Sequence, residues 1–206
     1  HLPERFKPQR RIVSADLPDA SAKIAMLSQA LQAFMGAGYV YVGMDHFALP
    51  GDALAVAKRQ GRLHRNFQGY STQPDCDLIG LGVSAIGRVG ATYSQNAKTL
   101  DEYCDRLDQG DLPVVRGLAL SRDDLLRRSV IMALMCQGNV QFESVNLSWL
   151  VDFKSYFATE LGVLEGMAEQ GLVTVDDHGI QVTRMGWYFV RGVAMVFDRY
   201  LQADRN

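Results

Sequence analysis

Fold class follows from residues 21–44, SAKIAMLSQALQAFMGAGYVYVGM. Apolar side chains from Ile24 to Phe34 recur with the 3.6-residue period of a helix, and the glycines that follow predict where the helix ends. Residues 39–44 are rich in aromatic and β-branched side chains, which predicts a strand. A helix joined to a strand by a glycine turn is half of a β/α unit, so we expect α/β architecture in this region.

Two polar residues, Asp45 and His46, directly follow the predicted strand. Barrel enzymes place their chemistry at the C-terminal ends of parallel strands, which favours a functional role for this pair. An aspartate that caps a turn, next to a half-buried histidine with satisfied hydrogen bonds, fits the same residues. The sequence leaves both interpretations open.

Length and charge limit the classes of partner. The 206 residues carry a net charge of -2, which disfavours a uniformly basic nucleic-acid-binding protein. Charged residues interrupt every apolar stretch before it reaches the roughly 20 residues that a membrane span needs. We therefore expect neither nucleic acid nor a membrane as a partner.

The three cysteines are Cys76, Cys104 and Cys136, and they lie 28 and 32 residues apart. This spacing provides no local zinc or iron–sulfur motif, so we assign no metal ligand. Scattered thiols in odd number fit a reducing compartment, and the sequence predicts a cytoplasmic protein.

Residues 62–73, RLHRNFQGYSTQ, mix arginine, histidine and amide side chains without a consistent period. The pattern predicts a loop, which is either a functional loop or a solvated connector. Composition alone does not choose between the two.

A glycine-rich motif follows an apolar stretch that we predict to be a strand beginning at residue 77. Gly80, Gly82 and Ala85 imitate the G-x-G-x-x-A fingerprint of dinucleotide-binding proteins. Gly87 and Gly90 would then fall in the first turns of the required helix, at a cost of roughly 1 kcal/mol each, so we reject that interpretation. The glycines instead indicate that something approaches the backbone closely.

The chain after Asn96 is predicted to be mainly helical. Capping patterns at Thr99 and Ser121 begin two helices, and further elements are predicted as helices over residues 149–159, 162–170 and 185–201 and a hairpin over residues 172–183. Helix, helix, hairpin and helix are typical of a winged helix, a fold that often binds DNA. From residue 140 onward, nine acidic residues face five basic ones, so DNA binding is disfavoured and we expect a packing or lid domain.

Four ordered stretches carry a family resemblance: residues 1–10 (HLPERFKPQR), 43–50 (GMDHFALP), 64–70 (HRNFQGY) and 80–86 (GLGVSAI). They resemble oxygen-independent coproporphyrinogen III oxidase, a radical S-adenosylmethionine (SAM) enzyme of haem biosynthesis also called coproporphyrinogen III dehydrogenase. The resemblance implies the end of an incomplete radical-SAM β/α barrel over residues 1–96, followed by a mainly α-helical, winged-helix-like C-terminal domain over residues 97–206.

The same resemblance implies a reaction, cofactors and partners. Two propionates of coproporphyrinogen III are oxidatively decarboxylated to vinyl groups, which gives protoporphyrinogen IX. A [4Fe–4S] cluster cleaves SAM, the resulting 5′-deoxyadenosyl radical takes hydrogen from the propionate β-carbon, and the family binds a second SAM. The cluster cysteines are absent from this chain, so we expect it to be folded but inactive without the N-terminal part of the same protein. An electron donor is a further implied partner, and a monomer is expected.

Site residues follow from matching the motifs. Phe67, Gln68 and Ile86 match the family positions that line the second SAM site, and apolar surface beside an amide suits such a ligand.

Arg62, His64 and Arg65 are candidates to meet the four carboxylates of the substrate, because guanidinium groups bind carboxylates well. No residue is assigned a catalytic role. The alternatives are a radical-SAM paralogue that serves as a haem chaperone and a non-catalytic winged-helix interaction module.

Overall fold

A computed structural model describes residues 1–203 and shows a mixture of helices and antiparallel strands. The first part contains helices α1 (Ala20–Gly36) and α2 (Ala53–Arg59), and strands β1 (Val40–Gly43), β2 (His46–Ala48), β3 (His64–Asn66), β4 (Gly69–Ser71), β5 (Ile86–Val89) and β6 (Thr92–Asn96). The second part contains α3 (Leu100–Asp108), β7 (Val114–Ala119), α4 (Arg122–Gln137), β8 (Asn139–Gln141), α5 (Phe142–Trp149), α6 (Phe153–Tyr156), α7 (Ala158–Glu169), β9 (Val173–Val175), β10 (Gly179–Val182), α8 (Val190–Met195) and α9 (Arg199–Ala203).

Helix α1 and strand β1 lie where the sequence predicts them. The Asp19 side chain caps α1 by accepting from the Ala22 N–H at 2.8 Å, and Gly38 follows the helix with φ +86°. Strand β1, however, pairs antiparallel with β2 across a tight turn, with Met44 and Asp45 at positive φ. Aspartate tolerates this conformation, so the turn forms a hairpin in place of the parallel β/α strand that we expected.

His46 has a structural environment in this hairpin. Its Nδ1 atom lies 2.7 Å from the carbonyl oxygen of Met44, and its ring packs edge-on against Tyr70 at 5.3 Å. The half-buried histidine is therefore satisfied within its own turn, which supports the structural interpretation of His46.

The prediction of a loop over residues 62–73 is wrong in part, because β3 and β4 form a hairpin there. Phe67 and Gln68 lie at its turn, where the Asn66 side chain accepts from the Gln68 N–H at 2.9 Å. Each strand has three residues, and Tyr70 is the one large side chain that they bury, so the sequence carried no alternating strand signal.

The strand predicted from residue 77 is also wrong. Leu78 makes only an isolated bridge to Arg88, and the strands of this region are β5, β6 and β7, which form one antiparallel sheet in that order. A Cβ at Gly80 would lie 2.7 Å from the carbonyl oxygen of Ile86. The group that approaches the glycine is therefore the chain's own backbone.

Helix α4 begins with a reciprocal capping box, in which Ser121 and Asp124 each bond the other's backbone N–H. Strands β8, β10 and β9 form a second antiparallel sheet, in that order. The helix predicted over 149–159 is interrupted because Leu150 is left-handed and Asp152 caps α6. The helix predicted over 185–201 is likewise divided into a 3-10 turn, α8 and α9, and the Asp198 side chain accepts from the Tyr200 N–H at the start of α9.

The core is concentrated in the helical part, where Phe153, Phe157 and Phe197 are fully buried and pack on one another. In α1, by contrast, Leu31 is the buried side chain, and Ile24 is 59 % exposed. Within residues 1–203, no helix combines the length and apolar character needed to cross a bilayer.

Lys58 joins the two parts. Its Nζ atom donates to the carbonyl oxygens of Tyr41 and Val42 at 3.0 and 2.7 Å and lies 4.1 Å from the ring centroid of Trp187. Burial at this junction lowers the pKa of the Lys58 ammonium to about 8.

Candidate functional site

A groove of about 840 Å³ lies between the β3–β4 hairpin, the β5–β7 sheet, helix α4 and the α8–α9 segment. This volume is in the upper part of the range of about 300–1,000 Å³ that small-molecule sites occupy. Four of the six predicted site residues line the groove, namely His64, Arg65, Phe67 and Gln68. The hairpin turn presents the last two to the groove, and both side chains are exposed.

Ile86 lies in a smaller depression of about 210 Å³ beside the groove. Phe67 and Tyr93 line both cavities, and their rings pack edge-on at 5.3 Å. The structure therefore brings Phe67 next to both Gln68 and Ile86. Arg62 lies outside both cavities and donates to the side chain of Gln60.

The side-chain amide of Gln68 makes no hydrogen bond within residues 1–203. One amide can donate to a carboxylate and accept from an amine at the same time. Beside the half-exposed ring of Phe67, it provides polar and apolar contacts for one amphipathic ligand.

Arginine is the dominant charged residue of the groove. The lining includes three aspartates and six arginines, the latter being Arg65, Arg88, Arg127, Arg128, Arg191 and Arg199. Ion pairs neutralise four of these arginines: Arg88 and Arg128 with Asp75, Arg127 with Asp123 and Glu160, and Arg199 with Asp123 and Asp124.

Asp75 organises one wall of the groove. Its two carboxylate oxygens accept from Nη1 and Nη2 of Arg128 at 2.8 and 2.9 Å, and Oδ1 also accepts from Arg88 at 2.5 Å. The hydrogen bonds from Arg128 are the main reason that the pKa of Asp75 is lowered. Nε of Arg128 donates to the Tyr93 hydroxyl at 3.0 Å, so the same network fixes the ring against which Phe67 packs.

Arg65 lies over the face of Tyr70, with its guanidinium carbon 4.9 Å from the ring centroid. Its Nη1 atom is buried and has no hydrogen-bond partner within the described chain. Tyr70 is held in place by its hydroxyl, which donates to the carbonyl oxygen of Met135 at 2.8 Å. Burial raises the pKa of the Tyr70 hydroxyl, so it stays a neutral donor.

The residues present do not fit an iron–sulfur cluster. Cys76 and Cys104 are exposed on separate elements, and Cys136 is buried in α4, where burial raises the pKa of its thiol to about 11. Over residues 1–203, no three histidine, cysteine or acidic side chains are grouped so that they could hold a metal ion.

Comparison with known proteins shows which family this chain is similar to. Residues 120–189 match the family described as the HemN C-terminal domain. The chain is 49% identical over 201 residues to the oxygen-independent coproporphyrinogen III oxidase of Pseudomonas aeruginosa, and 46% identical over 202 residues to that of Escherichia coli. It also matches the solved structure titled "Coproporphyrinogen III oxidase (HemN) from Escherichia coli is a Radical SAM enzyme" with a TM-score of 0.92.

The chain matches the C-terminal portion of the oxygen-independent coproporphyrinogen III oxidases. The predicted resemblance is thereby confirmed. Both of these relatives are longer: the alignments cover 98% of this chain but 44% of each relative, and the solved HemN structure is covered to 46%. The chain thus spans less than half the length of these oxidases.

Sequence reasoning missed the arginines outside the β3–β4 hairpin. Arg127 and Arg128 had a usable signal, because two adjacent guanidinium groups lie between Leu126 and Val130 in a helix with a buried apolar face. Such a pair needs counter-ions from other elements. No comparable sequence signal marks Arg88, Arg191 and Arg199, because the residues that surround them in the groove come from distant segments of the chain.

Proposed function

We propose that this chain is part of an oxygen-independent coproporphyrinogen III oxidase. The complete protein would oxidatively decarboxylate two propionates of coproporphyrinogen III to vinyl groups, giving protoporphyrinogen IX. The observation that carries the proposal is the groove, which gathers Phe67, Gln68, His64 and Arg65 beside apolar and cationic walls. The names of the relatives support the same activity and not that of a haem chaperone or a non-catalytic interaction module.

We assign the second SAM site to Phe67, Gln68 and Ile86. The ring of Phe67 lies between the groove and the depression that contains Ile86, so an adenine or methyl group would find apolar surface on both sides. The free amide of Gln68 suits the amino and carboxylate groups of the methionine end. SAM would supply the radical chemistry of the family, and these residues would bind and orient it.

The substrate carboxylates would meet His64 and Arg65 on the same hairpin. His64 and Arg65 line the groove together, and Asn66, Phe67 and Gln68 follow them directly. The carboxylates of the substrate and the SAM molecule would therefore be held by neighbouring residues of one hairpin. Arg62 is left out of this assignment because it lies outside the groove.

In this proposal, the N-terminal part of the same protein would hold the [4Fe–4S] cluster and the first SAM. An electron donor would reduce the cluster. Residues 1–96 would complete the radical-SAM barrel, and residues 97–206 would form the winged-helix-like domain. The order α4, β8, α5, α7, β9, β10 and the three-stranded sheet support that topology. The protein would act in the cytoplasm.

Replacing Gln68 in the full-length protein tests the function. We expect Gln68→Ala to lower turnover of coproporphyrinogen III and leave the absorbance of the cluster unchanged, because the cluster would be held by cysteines of the N-terminal part and not by Gln68. Gln170→Ala is the matched control, since its exposed side chain lies outside the groove. Unchanged turnover in Gln68→Ala, or loss of the cluster absorbance, would contradict the assignment.

A further inference from the structure

The positive charge of the groove is only partly neutralised. Arg88, Arg127, Arg128 and Arg199 have carboxylate partners on neighbouring elements. Arg65 and Arg191 line the same groove, and neither has a carboxylate partner within residues 1–203.

The two arginines come from different parts of the chain. Arg65 lies on β3, in the hairpin assigned to SAM and substrate, whereas Arg191 lies on α8, beyond the matched HemN domain. Helix α4 contacts both β3 and α8, and the hydrogen bond from the Tyr70 hydroxyl to the carbonyl oxygen of Met135 joins it to the β3–β4 hairpin. A ligand that contacts both arginines would therefore bridge the β3–β4 hairpin and α8.

The guanidinium of Arg65 is positioned to bind an anion. The Tyr70 ring fixes one face of it, and Nη1 is buried without a hydrogen-bond partner. A partly buried cation without a counter-ion is costly, and an incoming carboxylate removes that cost. The side chain of Arg191 is exposed and makes no hydrogen bond within the described residues, so its guanidinium is free to turn toward a ligand.

We propose that Arg65 and Arg191, from two different elements of the groove lining, bind two different carboxylates of one macrocyclic substrate. The inference rests on the proposed function and extends it, because it makes the α8 segment a direct part of the substrate site. Four of the six arginines are already paired and hold the walls together, so these two set the number and separation of the acidic groups that the groove accepts.

Binding of two porphyrins to the full-length protein tests this proposal. Coproporphyrin III carries the four carboxylates of the substrate in a form that does not turn over, and mesoporphyrin IX carries two, on one edge. Arg191→Gln should weaken binding of the tetracarboxylate by about tenfold, as expected for loss of a charge-assisted hydrogen bond. It should weaken binding of the dicarboxylate by about twofold or less, since the single acidic edge can still bind Arg65.

Arg184→Gln is the control, because Arg184 is exposed on the same C-terminal segment, lies outside the groove and makes no ion pair within residues 1–203. Arg65→Gln should also weaken binding of the tetracarboxylate, but this substitution removes the contact between Arg65 and the Tyr70 ring as well. Arg191→Gln therefore decides the test, and its thermal unfolding should match that of the unmodified protein.

The outcomes separate the two proposals. If the unmodified protein does not bind coproporphyrin III, the proposed function fails and the inference fails with it. If the protein binds both porphyrins and Arg191→Gln changes neither affinity, or changes both equally, the proposed function stands and the role of Arg191 is wrong.

Discussion

The indole ring of Trp187 fills the space that a side chain at residue 138 would need. A Cβ atom on Gly138 would lie 2.5 Å from Cζ2 of Trp187. Gly138 also ends α4 in the left-handed conformation, at φ +70°. Glycine is therefore required for two independent reasons, and the contact fixes the end of α4 against the ring that covers Lys58.

Alanine at residue 138 should destabilise the chain by more than the backbone conformation alone explains. Gly171 has nearly the same φ, +71°, and nothing lies within 4 Å of the position of its Cβ. Gly171→Ala should cost about 1 kcal/mol, and Gly138→Ala about 1–3 kcal/mol more because the ring must move. Urea unfolding of the two variants measures the difference, and equal midpoints would contradict the packing argument.

The Tyr70 hydroxyl satisfies a carbonyl group that α4 cannot satisfy itself. Met135 lies in the last turn of the helix, where carbonyl oxygens lack a partner four residues on. Tyr70→Phe should lower the free energy of unfolding by about 1–3 kcal/mol, since the carbonyl is left buried and unpaired. Tyr39→Phe is the control, because Tyr39 makes no side-chain hydrogen bond within residues 1–203; a similar loss in both variants would refute the assignment.

The Asp75 network should give the groove a defined dependence on pH. Because Arg128 and Arg88 lower the pKa of Asp75 in the folded chain, the carboxylate contributes stability above its unfolded pKa of about 3.9 and loses it as pH falls through the folded value. Asp75→Asn should cost about 1 kcal/mol or less at neutral pH, as the carboxylate is half exposed.

That cost should be constant from pH 7 to about 5. It should shrink below about pH 4, first because the unfolded carboxylate takes up a proton and then, at the lowered folded pKa, because the folded carboxylate does so too. Urea unfolding across this range measures it. Asp111→Asn is the matched control, because the Asp111 carboxylate makes no ion pair or hydrogen bond in the described chain. A cost for Asp75→Asn that persists unchanged below pH 3 would show that the ion pairs do not contribute it.

Local sequence signals correctly predicted the features that depend on few neighbours. Ser121 caps α4 as its position predicts, and Gly38 follows α1 with the expected positive φ. Thr99 precedes α3 as predicted, although its side chain makes no capping hydrogen bond. The caps and turns are formed by residues within four positions of one another, so their hydrogen bonds are encoded in a short window. The predicted ends of helices were wrong where a second capping residue, such as Asp198, interrupts an otherwise continuous apolar pattern.

The sequence alone determined helices α1 and α4, the capping box at Ser121 and the resemblance to the oxidases, because each depends on residue types at short, fixed spacings. The tertiary structure decided that residues 64–71 pair as a hairpin and that Phe67 lies against Tyr93. It also decided which arginines are neutralised: Asp75 and Arg128 are 53 residues apart in the chain and 2.8 Å apart in space. Ion pairing depends on distance between atoms, and the sequence does not reveal that distance until strands and helices have packed around the groove.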